Sequence, residues 1–361
     1  MSIPFDPKEL EIVRRQPSFN PAVPGTALFD FPVTEREAYQ SLLLDHKPVW
    51  APYGVETGFF APSVIPDNIA RGFVFEAERW PHPYTTYDDM FGINWTFVPT
   101  VGGSMETPGI PHPLEDVNDW KEALKCPDPY SWDWDASARL NNDFYLHNGK
   151  ANILWLLNGM GFERMISFMG FENAAMALLD EDQEDALHEM LDALTDLHIE
   201  LCKCAIEAYG DAVTGFCLHD DWGSQKSPFF SFSAGKEFFV PGWQRFTSFL
   251  HANRKIADLH SCGHIETQIE NFIDGGWDSW TPMAMNDTHK LYEEYGDKIV
   301  IGIVAPKWDP KATEEEQYEA GKAYAEKFFK PGKVGAYSMY TGIPIPDAYA
   351  RGLYETSRKL S

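Results

Sequence analysis

The chain has 361 residues, 44% of them hydrophobic, and a formal net charge of -26. So negative a surface is repelled by phosphates, which excludes nucleic acid and anionic membranes as partners. No apolar run approaches the roughly 20 residues that cross a bilayer, the first residues carry no basic-plus-apolar export signal, and five cysteines in this length suit a reducing compartment; a cytoplasmic location is expected.

Residues 1–33 are broken repeatedly by Pro and Gly and read as an irregular arm, leaving 34–361 as one domain. Thr34 and Glu37 have capping-box spacing, so a helix is predicted from there to about residue 45. The short apolar run 48–51 is a candidate first strand. Residues 52–150 are the least regular part, with a β-rich piece at 93–98 and an aromatic, acidic surface loop at 131–135. From residue 151 the pattern alternates. Strands are predicted at 151–157, 212–218, 256–259, 278–282, 298–304 and 334–340. Helices are predicted at 162–179, 182–209, 234–253, 265–274, from 288, from the second capping box at Thr313/Glu316, and at the C-terminus. Six strands here, with 48–51 and 93–98, make the eight of a (β/α)8 TIM barrel in the α/β class. An open doubly wound sheet is the competing architecture, but no GxGxxG opens a helix, which disfavours a dinucleotide fold.

In such a barrel the chemistry gathers at the C-terminal ends of the strands. That rule selects Tyr53, Asn158, the run His219, Asp220, Asp221 and Trp222, then His260 and Cys262, Met283 and Asn286, Lys307, and Tyr340. His260 and Cys262 end a strand two residues apart, so they face the same side, and an imidazole and a thiol together suit zinc. The ordinary alternative is a buried histidine and a buried thiol. In His219-Asp220-Asp221 the adjacent carboxylates repel, which favours a raised pKa and acid/base work; the plainer reading is a turn cap beside a solvated acid. Gln225 and Lys226 follow on the same loop and are candidates for a polar substrate group, the plainer reading of Lys226 being a surface charge. Cys202 and Cys204 lie two apart within the long helix and do not face each other. His188 and His198, on that helix, read as surface or boundary residues. There is no nucleophile elbow and no P-loop.

The run His219-Asp220-Asp221-Trp222-Gly223-Ser224-Gln225, with Pro228-Phe229-Phe230-Ser231 after it, resembles the uroporphyrinogen decarboxylase superfamily. So do Leu259-His260-Ser261-Cys262-Gly263 and Gly275-Gly276-Trp277-Asp278, with Pro48-Val49-Trp50 and Asp89-Met90-Phe91-Gly92 upstream. The resemblance implies a single (β/α)8 barrel from about residue 34 with its pocket at the C-terminal mouth. True uroporphyrinogen decarboxylases place arginines just after the Pro-Val-Trp segment to bind the carboxylates of their substrate. This chain reads Ala51-Pro52-Tyr53-Gly54-Val55-Glu56-Thr57 there, without one.

The other branch holds corrinoid-dependent methyltransferases, of the methylcobamide:coenzyme M and O-demethylase types. Its zinc site begins with a His-x-Cys after a strand, which His260 and Cys262 match. Its third ligand is a cysteine near the last strand, where this chain reads Gly335-Ala336-Tyr337-Ser338-Met339-Tyr340-Thr341-Gly342. Met283 falls about where the branch has a carboxylate, so His219, Asp220 or Asp221 would have to complete the set. The resemblance therefore implies methyl transfer between a small methylated donor, such as a methyl ether, and a cobalamin carried on a corrinoid protein, assisted by zinc. Asp221, Asp220 and His219 take the catalytic roles, and Trp222, Gln225, Tyr53, Asn158 and Tyr340 contact the substrate. A homodimer is compatible with it. The alternative is a decarboxylase or lyase for a smaller acid, built on Asp89, Asp221 and Tyr340.

Overall fold

The computed structural model describes residues 3–17, 25–78, 86–100, 103–143, 145–304, 309, 311–338 and 345–361. They divide into two units: residues 1–58, 149–151 and 278–361 in the first, and 59–148 and 152–277 in the second. Both are mixed α/β and both contain parallel strands. Among the described residues no helix is long and apolar enough to cross a membrane, and all five cysteines are free.

In the first unit the parallel strands are Ser279–Thr281, Val300–Val304 and Lys333–Ser338, with Ser279 opposite Val300 and Ile301 opposite Gly335. Helix Glu314–Phe328 starts at the expected Thr313/Glu316 capping box. It lies against Asp347–Leu360 through a reciprocal pair of glycines. A Cβ on Gly321 would stand 2.1 Å from the Tyr349 carbonyl oxygen, and one on Gly352 would stand 2.1 Å from that of Tyr318. The Thr34/Glu37 box opens helix Glu35–Leu43 as expected.

Two expectations in this unit are corrected. The arm at 1–33 contains a hairpin, Ile12–Gln16 antiparallel to Thr26–Phe29; its second strand is fully buried, so burial overrides the Pro and Gly signal. Residues 48–51 form no strand, because Pro48 and Pro52 have no N–H to give a ladder. Trp50 instead turns inward, stacks on Phe31 with 4.6 Å between centroids, and donates its indole N–H to Glu56 at 2.7 Å. The strand comes later, at Thr57–Phe60.

In the second unit, strand Ala151–Leu156 (from Asn152 onward), Val213–His219 and Ile256–His260 run parallel, each beside the next. Their apolar runs are buried on both faces, as parallel strands under helices require. The longest helices are Phe162–Ala177, broken at Gly170 (φ 75°), the 26-residue Glu184–Tyr209, and Val240–Ala252, which is entered through a π-helical turn at Gly235–Phe239. The expected strand near 93–98 forms at Asn94–Val98, but in a separate antiparallel sheet with Thr86–Asp88 and Gly103–Glu106. The turn chemistry explains this. Asp89 Oδ1 accepts from the N–H groups of Phe91 and Ile93, Gly92 takes φ 81°, and the chain doubles back as a hairpin.

Candidate metal centre

Strand register builds the site. His219 and His260 are the last residues of two adjacent parallel strands and lie directly opposite each other. Adjacent strands are separated by about 4.8 Å, and the two imidazole centroids are 5.0 Å apart. Two residues further along each chain come Asp221 and Cys262. Cys262 Sγ is 3.3 Å from His260 Nε2, and the Cys262 N–H donates to Asp221 Oδ1 at 2.7 Å. His219 Nε2 lies 3.9 Å from Asp221 Oδ1. One ligand atom from each of His219, Asp221, His260 and Cys262 falls within 4.8 Å of all the others.

The two loops beyond the strands are fastened together. The Trp222 N–H donates to Ser261 Oγ at 3.1 Å, and the His264 N–H to the Ser224 carbonyl at 2.7 Å. Gly263 has φ +105°, and a Cβ there would stand 2.4 Å from the Gly223 carbonyl carbon and oxygen. Only glycine permits that approach.

A third element reaches in. Glu163, in the first turn of helix Phe162–Ala177, places Oε2 2.8 Å from His219 Nδ1, while its Oε1 pairs with the Arg71 guanidinium. Arg71 also donates to Asn158 Oδ1 and lies over the Trp95 ring at 4.9 Å. Trp155 forms a flat wall, 5.8 Å from the His260 ring and 6.3 Å from His219, and is itself stacked on Phe59 at 4.5 Å.

Burial sets the electrostatics. Burial alone would raise Glu163, but Arg71 and then His219 override it and hold the carboxyl well below its usual range. For His219, burial works downward, and Glu163 and Asp221 overcome it, so the imidazole sits well above its ordinary value. Burial raises Asp221, partly offset by the His219 charge, and raises the Cys262 thiol, again partly offset by His219.

The other sequence-derived candidates lie elsewhere. Asp220 is not among the four clustered donors and is fully buried. Its Oδ1 accepts the Glu163 N–H at 2.8 Å and so caps a helix whose own N-cap residue is Gly161. Burial pushes its carboxyl up to about 7. Trp222 is also fully buried, stacked on Trp243 at 4.3 Å and 12°; it is a core residue of the second unit. Gln225 is exposed on its loop. Asn158 is buried in the left-handed region (φ 64°), bonded by Arg71, with its Nδ2 unpartnered. Tyr53 belongs to the first unit, where its ring is buried and its hydroxyl donates to the Ala27 carbonyl at 3.1 Å. Met283 and Asn286 are also in the first unit, Asn286 Nδ2 donating to the Met283 carbonyl. Tyr340 and Lys307 lie outside the described residues. Asp89 is committed to Arg164 at 3.0 Å and to the Trp95 indole at 3.1 Å, with its side chain fully buried. His198 is buried, contrary to its reading as a boundary residue, because its face of the long helix turns into the core.

Sequence reasoning missed Glu163 and Arg71. Glu163 follows the strand end at Asn158-Gly159 by only a few residues, so the strand-end rule could have reached it. Arg71 lies 92 residues upstream of Glu163 in the irregular region and carries no local signal.

No protein-family model matches the sequence, and a search of curated proteins finds no match. Among solved structures, a methyltransferase from Methanosarcina mazei aligns with a TM-score of 0.54 over 90% of this chain and 98% of that chain, at 16% identity. The two share a fold. The crystal structure of Dispersin B aligns over 85% of this chain and 99% of that chain at 10% identity, but with a TM-score of 0.31, which carries no weight.

Proposed function

We propose that the chain is a corrinoid-dependent methyltransferase with the (β/α)8 fold, and that His219, Asp221, His260 and Cys262 hold a zinc ion at its reaction centre. One observation carries the reading: four donors of nitrogen, oxygen and sulfur type converge within 4.8 Å at the C-terminal ends of two paired strands. The donor set suits the metal. Zinc takes imidazole nitrogen and carboxylate oxygen at about 2.0–2.2 Å and thiolate sulfur at about 2.3 Å, so tetrahedral edges run to roughly 3.3–3.6 Å. The 3.3 Å edge between His260 and Cys262 and the 3.9 Å edge between His219 and Asp221 lie near that scale. His219 and Asp221 supply the two positions that the His-x-Cys motif leaves open. The fold shared with a methyltransferase supports the reading further.

When bound, zinc supplies a Lewis acid for the heteroatom that gives up or receives the methyl group. The chain's own residues do the rest. Trp155 and Phe59 give the methyl-bearing part of a small substrate an apolar surface and exclude water on that side. The methyl–heteroatom bond of the donor would break with its electron pair left on the heteroatom, which takes a proton from solvent, and the methyl would pass as a cation to a cobalamin in the cobalt(I) state, brought by a separate corrinoid protein, whose cobalt provides the pair for the new bond.

The test is zinc content by mass spectrometry for the wild type, His260→Ala and Cys262→Ala, together with methyl transfer from a panel of methyl ethers and methyl thioethers to an added corrinoid protein. One zinc per chain is expected in the wild type and a large loss in both variants, with transfer falling in parallel. A wild type without zinc, or variants that retain it fully, would sink the metal assignment.

A further inference from the structure

We propose that Glu163, braced by Arg71, is the positioning residue that makes His219 a ligand through Nε2. The inference rests on the zinc reading above and adds residues outside the ligand set. A neutral imidazole offers one lone pair, and the hydrogen bond at its other nitrogen decides which. His219 Nδ1 is 2.8 Å from Glu163 Oε2. The other Glu163 oxygen is engaged by the Arg71 guanidinium, a group that only donates. The carboxylate is thus an acceptor at both oxygens, and His219 Nδ1 carries the proton. Nε2 is left facing Asp221 Oδ1.

The brace is held from several sides. Arg71 is pinned by Asn158 Oδ1 and by the Trp95 ring. The Glu163 backbone is pinned separately by Asp220. All three side chains are largely sealed: 16% of Arg71, 10% of Glu163 and 13% of His219 remain exposed, so water competes weakly for these bonds. A purely structural ion pair between Glu163 and Arg71 would not need the second carboxylate oxygen aimed at an imidazole nitrogen.

The experiment has two arms. In the first, zinc affinity is measured by chelator competition for the wild type, Glu163→Ala and Glu163→Gln. Glu163→Ala is expected to lose about 10–100-fold, the usual effect of removing a histidine's outer partner, and Glu163→Gln to recover part of this because its amide oxygen still accepts from Nδ1. In the second, nitrogen-15 NMR of histidine-labelled, zinc-loaded wild type is expected to show His219 protonated at Nδ1 and metal-bound at Nε2. The proposal is overturned if Glu163→Ala binds zinc as tightly as the wild type, or if the spectrum shows the proton on Nε2. The NMR arm needs no variant, so it decides the matter even if Glu163→Ala does not fold. A wild type that binds no zinc sinks the metal reading instead, while the His219 spectrum at alkaline pH still reports which nitrogen holds the proton.

Discussion

Gly263→Ala is the sharpest perturbation of the centre that leaves every proposed ligand in place. The ideal Cβ meets the Gly223 carbonyl carbon and oxygen at 2.4 Å and its Cα at 2.6 Å. Ordinary contact begins near 3.4 Å, so one loop must retreat by about 1 Å, and the obstacle is backbone that has no rotamer to yield. The φ of +105° adds strain of roughly 1–3 kcal/mol for a residue bearing a side chain. Zinc–ligand distances tolerate only about 0.2 Å, and Cys262 is the adjacent residue, so metal binding should suffer most. The assay is urea unfolding followed by tryptophan fluorescence, with chelator and with zinc. The variant should lose about 2–6 kcal/mol with chelator present, the strain plus about 1–3 kcal/mol for the clash. On the zinc reading it should also lose most of the extra stability that the metal would give the wild type, about 2.7 kcal/mol at a hundredfold excess over Kd. Gly109→Ala is the control, with φ +84° and open space around its Cβ, and it should show the strain alone. If Gly263→Ala matches that control and keeps the full zinc increment, the contact with Gly223 does not govern the site.

Arg164 pairs with Asp67 and with Asp89 while its own side chain is fully buried, so Arg164→Met strands two carboxylates and should cost about 3–5 kcal/mol in urea unfolding; a cost below 1 kcal/mol would contradict the pairing. His198 Nδ1 lies 2.8 Å from the Leu194 carbonyl, and burial pushes its pKa down to about 4 from 6.5. Its folded pKa is depressed, so the unfolded chain takes up a proton first as pH falls. Stability should therefore decline between about pH 6.5 and 4 and level off below, by at most ~3 kcal/mol. His198→Asn should flatten that part of the pH–stability curve, and an unchanged slope would refute it. In the first unit, buried Glu9 accepts from the Tyr354 hydroxyl at 2.7 Å and from Arg358 at 2.9 and 3.0 Å. Tyr354→Phe should cost about 1.5–3 kcal/mol and Arg358→Leu about 3–5 kcal/mol, measured by thermal melting; the reverse order would be evidence against a charge-centred network.

The helices were legible because their signals are local. The Thr34 and Thr313 capping boxes form as spaced, and the apolar stripe from Leu187 to Leu201 packs as its period implies. His260 and Cys262 were legible because two residues at a strand end share a side whatever the rest of the chain does. That His219 would stand opposite His260 was not, since register follows from how the apolar strands pack. Nor was it visible that Asp220 and Asp221, adjacent in sequence, part company, one capping a helix and the other facing the two histidines. The misplaced strands have the same origin. Both 48–51 and 93–98 are apolar, but prolines in the first and the turn from Asp89 to Gly92 before the second, not apolarity, decide where pairing begins.

Asp220 belongs to one loop and closes the end of a helix that belongs to another. The amides of Glu163, Trp222, Cys262 and His264 are held by partners on a segment other than their own. None of them opens without loosening a neighbour, so the four should trade hydrogen for deuterium at a common slow rate, as one cooperative unit. Loops cross-fastened in this way should come apart together, which would hold their geometry for as long as the unit stays folded.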